Sequence, residues 1–232
     1  MNATRDRSKG SAVGAVIVAA GSSRRMGGED KLFALLGGEP LLARVVHVFT
    51  DCRAIDQIVI VVREESLETV RQMAADRGWW KVADVCAGGE RRQDSVRAGL
   101  DRLSGCGWVV VHDGARPLLT EDLITRGLEA AAETGAAVAA VEVTDTIKVA
   151  GPDRVVRHTP SRESLWAVQT PQVFRYDLLK RAYRRLKEEV TDDAAAVEQL
   201  GQSVMLYPGS YDNIKITTRE DLILAEILRR RG

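Results

Sequence analysis

Gly21, Arg25, Gly27, Gly28 and Lys31 crowd into one segment, AAGSSRRMGGEDK, at the end of an apolar run from Val13 to Ala20. Glycines let a backbone approach a ligand closely, while N–H groups and cationic side chains face an anion. Binding of a polyphosphate is the chemistry this suits. The segment lacks the Gly-Lys-Ser/Thr ending of a P-loop. It is not a G-x-G-x-x-G loop either, because Ser23 stands where the second glycine would fall. Taken alone, it also reads as a basic surface turn.

Two further turns carry reactive residue types. In HDGARP, Asp113 ends an apolar run and precedes Arg116 by three positions. A carboxylate there can hold Mg²⁺ against triphosphate oxygens, or it can simply cap a turn. In GGERRQDS, Gly88 and Gly89 can admit a nucleobase, with the Ser95 hydroxyl beyond them. The same pattern describes a glycine turn with a helix cap. Lys215, after Asp212 and Asn213, is a further cation candidate or an ordinary solvated lysine. His112 and His158 invite a general-base role that a phosphate monoester acceptor does not need, being a nucleophile already. The work left is to bring two anions together and stabilise charge at the attacked phosphorus, which calls for Arg, Lys and Mg²⁺.

These residues must be positioned by something, and the chain of 232 residues is long enough for one large α/β domain with a full core. Its formal net charge of +0 gives no general affinity for nucleic acid or for membrane surfaces. No apolar run is long enough to span a membrane. The three cysteines, Cys52, Cys86 and Cys106, lack metal-ligand spacing and fit free thiols in a reducing cytoplasm. Residues 1–12 are expected to be a disordered leader. They mimic a signal peptide, but the apolar run is short and meets Arg24 and Arg25 directly.

Strands are expected at Val13–Ala20, Ile58–Val62, Val82–Cys86, Trp108–Val111, Ala136–Val141, Val204–Tyr207 and Ile214–Thr217. Helical spacing recurs after Pro40, from Leu67 to Gly78, around Val96–Leu103, after Thr120, from Tyr176 to Lys187, from Ala194 behind a Thr191 cap, and after the Thr218-x-x-Asp221 capping box. Alternation of this kind predicts a mostly parallel, Rossmann-like sheet flanked by helices. Ligands of such sheets bind at the carboxyl ends of the strands, so the three turns should gather on one edge. Between Glu142 and Trp166 the pattern breaks. Thr146–Val149 and Val155–Arg157 around Gly151-Pro152-Asp153 predict a β-hairpin, which either folds back on its own domain or reaches a second copy of the chain.

Taken together, AAGSSRRMGGEDK, GGERRQDSV, VHDGARP, DTIK, HTPSRESLWAVQTPQ, TDDA and DNIKIT resemble the 2-C-methyl-D-erythritol 4-phosphate cytidylyltransferases of isoprenoid biosynthesis, in order from about residue 13 to the end. The resemblance implies transfer of CMP from CTP to a sugar-alcohol phosphate, with Mg²⁺ and release of pyrophosphate. Arg25 and Lys31 would stabilise the transition state. Ala19, Ala20, Gly21, Gly89, Glu90 and Ser95 would bind the cytidine. Asp113, with Gly114 beside it, would sit by the ribose and the metal. Thr146, Arg162, Thr170 and Lys215 would bind the sugar phosphate, with Arg116 and Thr191 nearby. The segment 142–165 looks like the arm that crosses to the partner of a homodimer, which would put Thr146 and Arg162 in the other subunit's site. The chain departs from the family pattern at Ser23 and at Asp30-Lys31-Leu32. The competing expectations are a ribitol 5-phosphate cytidylyltransferase and a non-catalytic nucleotide-binding subunit.

Overall fold

The computed structural model describes residues 12–21, 31–186 and 188–231. In chain order the elements are β1 (Ala12–Val18), β2 (Leu35–Leu36), β3 (Glu39–Pro40), α1 (Leu41–Asp51), β4 (Gln57–Val62), α2 (Leu67–Asp76), β5 (Val82–Ala87), α3 (Arg92–Leu100), β6 (Cys106–Asp113), α4 (Glu121–Thr134), β7 (Ala136–Glu142), β8 (Val149–Ala150), β9 (Val156–His158), β10 (Trp166–Arg175), α5 (Tyr176–Arg185), α6 (Asp193–Glu198), β11 (Met205–Pro208) and α7 (Arg219–Arg229). Seven strands form one sheet in the order β11-β7-β10-β6-β1-β4-β5. All neighbours pair in parallel except β10, which runs antiparallel to both β6 and β7.

The sheet is covered on both faces, which is why its strands are apolar without alternation. Ala15 and Ile17 of β1 pack with Val45, Val46 and Phe49 of α1 on one side. Val16, between them in sequence, packs with Val96 and Leu100 of α3 and Leu179 of α5 on the other. Helix ends follow local chemistry. The Thr120 hydroxyl accepts from the Leu123 N–H to open α4, and Gly135, at φ 84°, closes it in the left-handed region. The capping box of Thr218 and Asp221 opens α7.

Four expectations need correction. First, β1 begins at Ala12, one residue inside the expected leader; the rest of that leader lies outside the described residues. Second, β10 was not expected, because Pro171 cannot donate to a ladder and argues against a central strand. The register with β7 shifts between Val168 and Gln172, taking Pro171 out of that ladder. One lost hydrogen bond costs about 1 kcal/mol. Burying Val173 and Phe174, both fully enclosed, contributes about 1.5–3 kcal/mol each and prevails. Third, Ile214–Thr217 is not a ladder strand; a single backbone bond, from the Ile216 N–H to the Ala115 carbonyl at 2.8 Å, ties it to the end of β6. Fourth, Asp192 rather than Thr191 caps α6, its carboxylate accepting from the Ala195 N–H at 2.9 Å. Asp192 is one residue closer to the first free N–H groups.

The hairpin is present but shorter than expected, pairing Val149 with His158 and Ala150 with Val156. No helix among the described residues is long and apolar enough to cross a membrane.

Candidate active site

In the sheet, β1 is flanked by β4 on one side and β6 on the other, so the chain reverses its direction of winding there. Crevices open at the carboxyl ends of strands at such a switch point. Val18 pairs with Asp113 across that edge and with Val61 on the other side. Backbone bonds fasten the strand ends: Ala19 N–H to Val61 carbonyl at 2.7 Å, Gly114 N–H to Val18 carbonyl at 2.9 Å, and Gly88 N–H to Val62 carbonyl at 2.8 Å.

Above them lies a cleft of about 830 Å³. Of the residues expected at a site, Ala19, Ala20, Gly21, Lys31, Gly89, Glu90, Ser95, Asp113 and Lys215 line it. The loop that carries Arg25 lies outside the described residues; Lys31, just beyond it, opens a short 3₁₀ turn ending at Phe33. Gly114 and Arg116 follow Asp113 without lining the cleft. Thr170 lies beneath it, Thr191 is exposed just before α6, and Thr146 and Arg162 sit on the exposed arm, away from this cleft. The Arg162 guanidinium donates to the Thr144 carbonyl at 2.8 Å.

The glycine turn after β5 is held against α3. A Cβ on Gly88 would come within 2.5 Å of both Ala20 Cβ and Ser95 Oγ, so a side chain has no room. The Ser95 hydroxyl accepts from the Gly89 N–H at 3.2 Å and donates to the Arg91 carbonyl at 3.3 Å. The turn and the end of β1 are therefore in close contact at Gly88 and Ala20.

Asp113 is the electrostatic centre. Lys215 Nζ lies 2.7 Å from its Oδ2, Arg92 Nε donates to its Oδ1 at 3.2 Å, and Arg116 Nε lies 3.9 Å from Oδ2. Burial opposes its charge, but Arg92, then Lys215 and Arg116, outweigh burial and hold the carboxyl well below the usual carboxylate range. Arg116 is further fixed by donating to the Asn213 carbonyl at 2.6 Å.

Beneath this centre is a string of neutral hydrogen bonds. His112 is fully buried, and burial pushes its imidazole down to about 4. Its Nε2 lies 3.1 Å from the Arg116 carbonyl, which can only accept, so Nε2 carries the proton. Nδ1 must then accept from the Thr170 hydroxyl at 3.1 Å, and that hydroxyl oxygen accepts from the Asp113 N–H at 3.1 Å. The Thr170 hydroxyl therefore secures the backbone of Asp113.

Arg92, Arg63, Glu64, Glu65 and Ala115 also line the cleft and were not anticipated. For Arg92 a signal was present in GGERRQDSV, but two adjacent arginines do not say which one turns inward. Arg63 follows β4 directly, in the position where any strand of this sheet edge delivers its next residue.

The donor set for a divalent ion is one buried, ionised carboxylate. Among the described residues no cluster of three or more His, Cys, Asp or Glu side chains could hold a metal. That set fits Mg²⁺, which takes one or two carboxylates and completes its shell with substrate phosphates and water.

A family model described as 2-C-methyl-D-erythritol 4-phosphate cytidylyltransferase matches residues 13–231. A relative of that name from Dehalococcoides mccartyi is 53% identical over 220 residues, covering 95% of this chain and 97% of its own. Another, from Pelotomaculum thermopropionicum, is 48% identical and covers 92% of each chain. Among solved structures, the 4-diphosphocytidyl-2C-methyl-D-erythritol synthase of Anaerococcus prevotii superposes with a TM-score of 0.85 at 29% identity, covering 96% of this chain and 97% of that one. The 2-C-methyl-D-erythritol 4-phosphate cytidylyltransferase of Thermus thermophilus gives a TM-score of 0.75 at 34% identity, covering 94% and 99%.

Proposed function

The chain belongs to the 2-C-methyl-D-erythritol 4-phosphate cytidylyltransferase family, a CTP-dependent nucleotidyltransferase of isoprenoid biosynthesis, and from that premise we propose that the cleft at the ends of β1, β5 and β6 is where the reaction takes place. The observation that carries this is the convergence of three separate chain segments, Ala19–Gly21, the turn from Gly88 to Arg92 with Ser95, and Asp113, in one cleft.

An oxygen of the acceptor phosphate attacks the α-phosphorus of CTP. The new phosphorus–oxygen bond forms as the bond to the β-phosphate bridge breaks, and pyrophosphate leaves with that electron pair. No base is required for a phosphate dianion, which agrees with a His112 imidazole that is neutral, buried and bonded on both nitrogens. Ala19, Ala20, Gly21, Gly89, Glu90 and Ser95 hold the cytidine, the glycines permitting close approach and Ser95 keeping the turn in place. Gly114 sits by the ribose. Arg25 and Lys31 stabilise the charge that builds at the α-phosphorus. Lys215 draws in the acceptor phosphate with Thr170 behind it, and Arg116 and Thr191 lie nearby. Asp113 would hold Mg²⁺, which when bound would neutralise charge on the triphosphate oxygens.

The arm supports a homodimer in which Thr146 and Arg162 complete the partner's site. Neither faces the cleft of its own chain, and Val155 and Val156 on the arm are 55% and 51% exposed. Three free cysteines support a cytoplasmic setting.

The test is pyrophosphate release with CTP and Mg²⁺, comparing 2-C-methyl-D-erythritol 4-phosphate with ribitol 5-phosphate. Turnover with the first and background with the second is expected, and it should vanish with a metal chelator. Metal-independent turnover would overturn the role given to Asp113.

A further inference from the structure

Tyr183, Asp193, Arg92 and Asp113 form a buried chain that crosses four elements. The Tyr183 hydroxyl, on α5, donates to Asp193 Oδ1 at the first residue of α6. Asp193 Oδ2 lies 2.8 Å from Nη2 of Arg92, the first residue of α3. Arg92 Nε then donates to Asp113 Oδ1 at 3.2 Å, at the last residue of β6.

Burial decides what Arg92 is able to do. The Asp193 side chain has no solvent exposure at all, and that of Arg92 is 25% exposed. An ionised carboxylate with no water needs a partner, and losing one partner of such a pair is far costlier than never having had the pair. An Arg92 that swung out to grip a triphosphate would leave the buried Asp193 carboxyl with only the Tyr183 hydroxyl. The planar guanidinium is hydrogen-bonded to Asp113 through Nε and ion-paired with Asp193 through Nη2, so two different carboxylates hold it before any ligand arrives.

We infer that Arg92 is a positioning residue for cytidylyl transfer: anchored by Asp193 and Tyr183, it acts through Asp113 by fixing that carboxylate's orientation in the cleft. Oδ2 of Asp113 is thereby left to Lys215, at 2.7 Å and with a side chain 41% exposed that can move, and to the more distant Arg116 at 3.9 Å. Asp113 is thus rigid on its Oδ1 side and exchangeable on its Oδ2 side. This rests on the role proposed for Asp113.

The experiment is a double-mutant cycle on the full chain, reading kcat and both KM values for Arg92→Met, Asp113→Asn and the two combined. Asp113→Asn alone should lower kcat about 10²-fold or more, the scale of a lost transition-state contact. Arg92→Met should lower kcat by a similar factor in the wild-type background and by less than about threefold when Asp113 is already Asn. Equal factors in both backgrounds would overturn the inference and make Arg92 a substrate contact. A lowered unfolding midpoint with unchanged kcat would overturn it in favour of a purely structural pair. Near-normal turnover of Asp113→Asn would instead remove the Asp113 role on which it rests. If Arg92→Met does not fold, Asp193→Asn in the same two backgrounds makes the same distinction: the kcat loss must shrink when Asp113 is Asn.

Discussion

Charge at single residues decides the chemistry here. Lys31 borders the cleft beside Gly21. Lys31→Ala should lower kcat about 10²-fold, as should Arg25→Ala, the scale of one lost transition-state donor. Single-turnover rates at saturating CTP check both; rates near wild type in the pair would remove the catalytic assignment. Arg162 lies on the arm, away from its own cleft, so Arg162→Ala should raise KM for the sugar phosphate at least tenfold more than KM for CTP, as for one charge-assisted hydrogen bond. A uniform rise in both would mark it as a support of the arm. Asp113 and Lys215 were legible in sequence because each sits in a short motif next to residues that turn the chain. Arg92 was not. Its neighbour Arg91 has the same side chain, yet Arg91 pairs with Asp94 at the surface while Arg92 points inward. Arg91 is the extended N-cap of α3 and Arg92 its first helical residue, so the start of the helix separates them.

At the level of elements, apolar runs without alternation announced β1, β4, β6 and β7, because a two-faced sheet leaves no polar side for a pattern to show. β10 was hidden by Pro171 and by Gln169, Thr170 and Gln172, which are polar yet buried. Those side chains are satisfied by long-range partners: Gln172 donates to Asp192 at 2.9 Å, and Gln169 to the Ser210 carbonyl at 2.9 Å. Such partners lie far away in sequence, and no local pattern reports them. The turn after β5 makes a sharper prediction. With Ala20 Cβ and Ser95 Oγ each 2.5 Å from a would-be Cβ, Gly88→Ala should destabilise the chain by about 1–3 kcal/mol and raise KM for CTP. Urea unfolding together with CTP titration checks this; wild-type values in both would mean that the turn shifts at no cost.

For the whole molecule, stability should depend on pH through His112. Its folded value of about 4 lies below the ordinary 6.5. The unfolded chain therefore binds the extra proton first as pH falls. Stability is full above about pH 6.5 and is lost progressively down to about pH 4, by on the order of 3 kcal/mol. Below that, Asp113 adds a further loss, since a carboxyl with a depressed value contributes least once it is protonated in both states. Urea midpoints between pH 7 and pH 4 should fall for the wild type and flatten for His112→Gln. The exposed apolar residues of the arm call for a covering surface. Sedimentation at micromolar concentration should give a dimer, and removal of residues 149–158 a monomer; a monomeric wild type would end the arm-exchange idea.

The arm leaves the sheet from β7 and returns into β10, and its two roots are clamped side by side where Glu142 pairs with Trp166. Mechanically this is a cantilever. A beam held at one end carries its greatest bending load at the clamp, not at the tip. Here the clamp runs directly into Gln169–Pro171, the stretch released from the ladder with β7, and Thr170 in that stretch holds the Asp113 backbone. The clamped root at Trp166 and the hydroxyl that holds the Asp113 backbone thus lie on one strand, four residues apart.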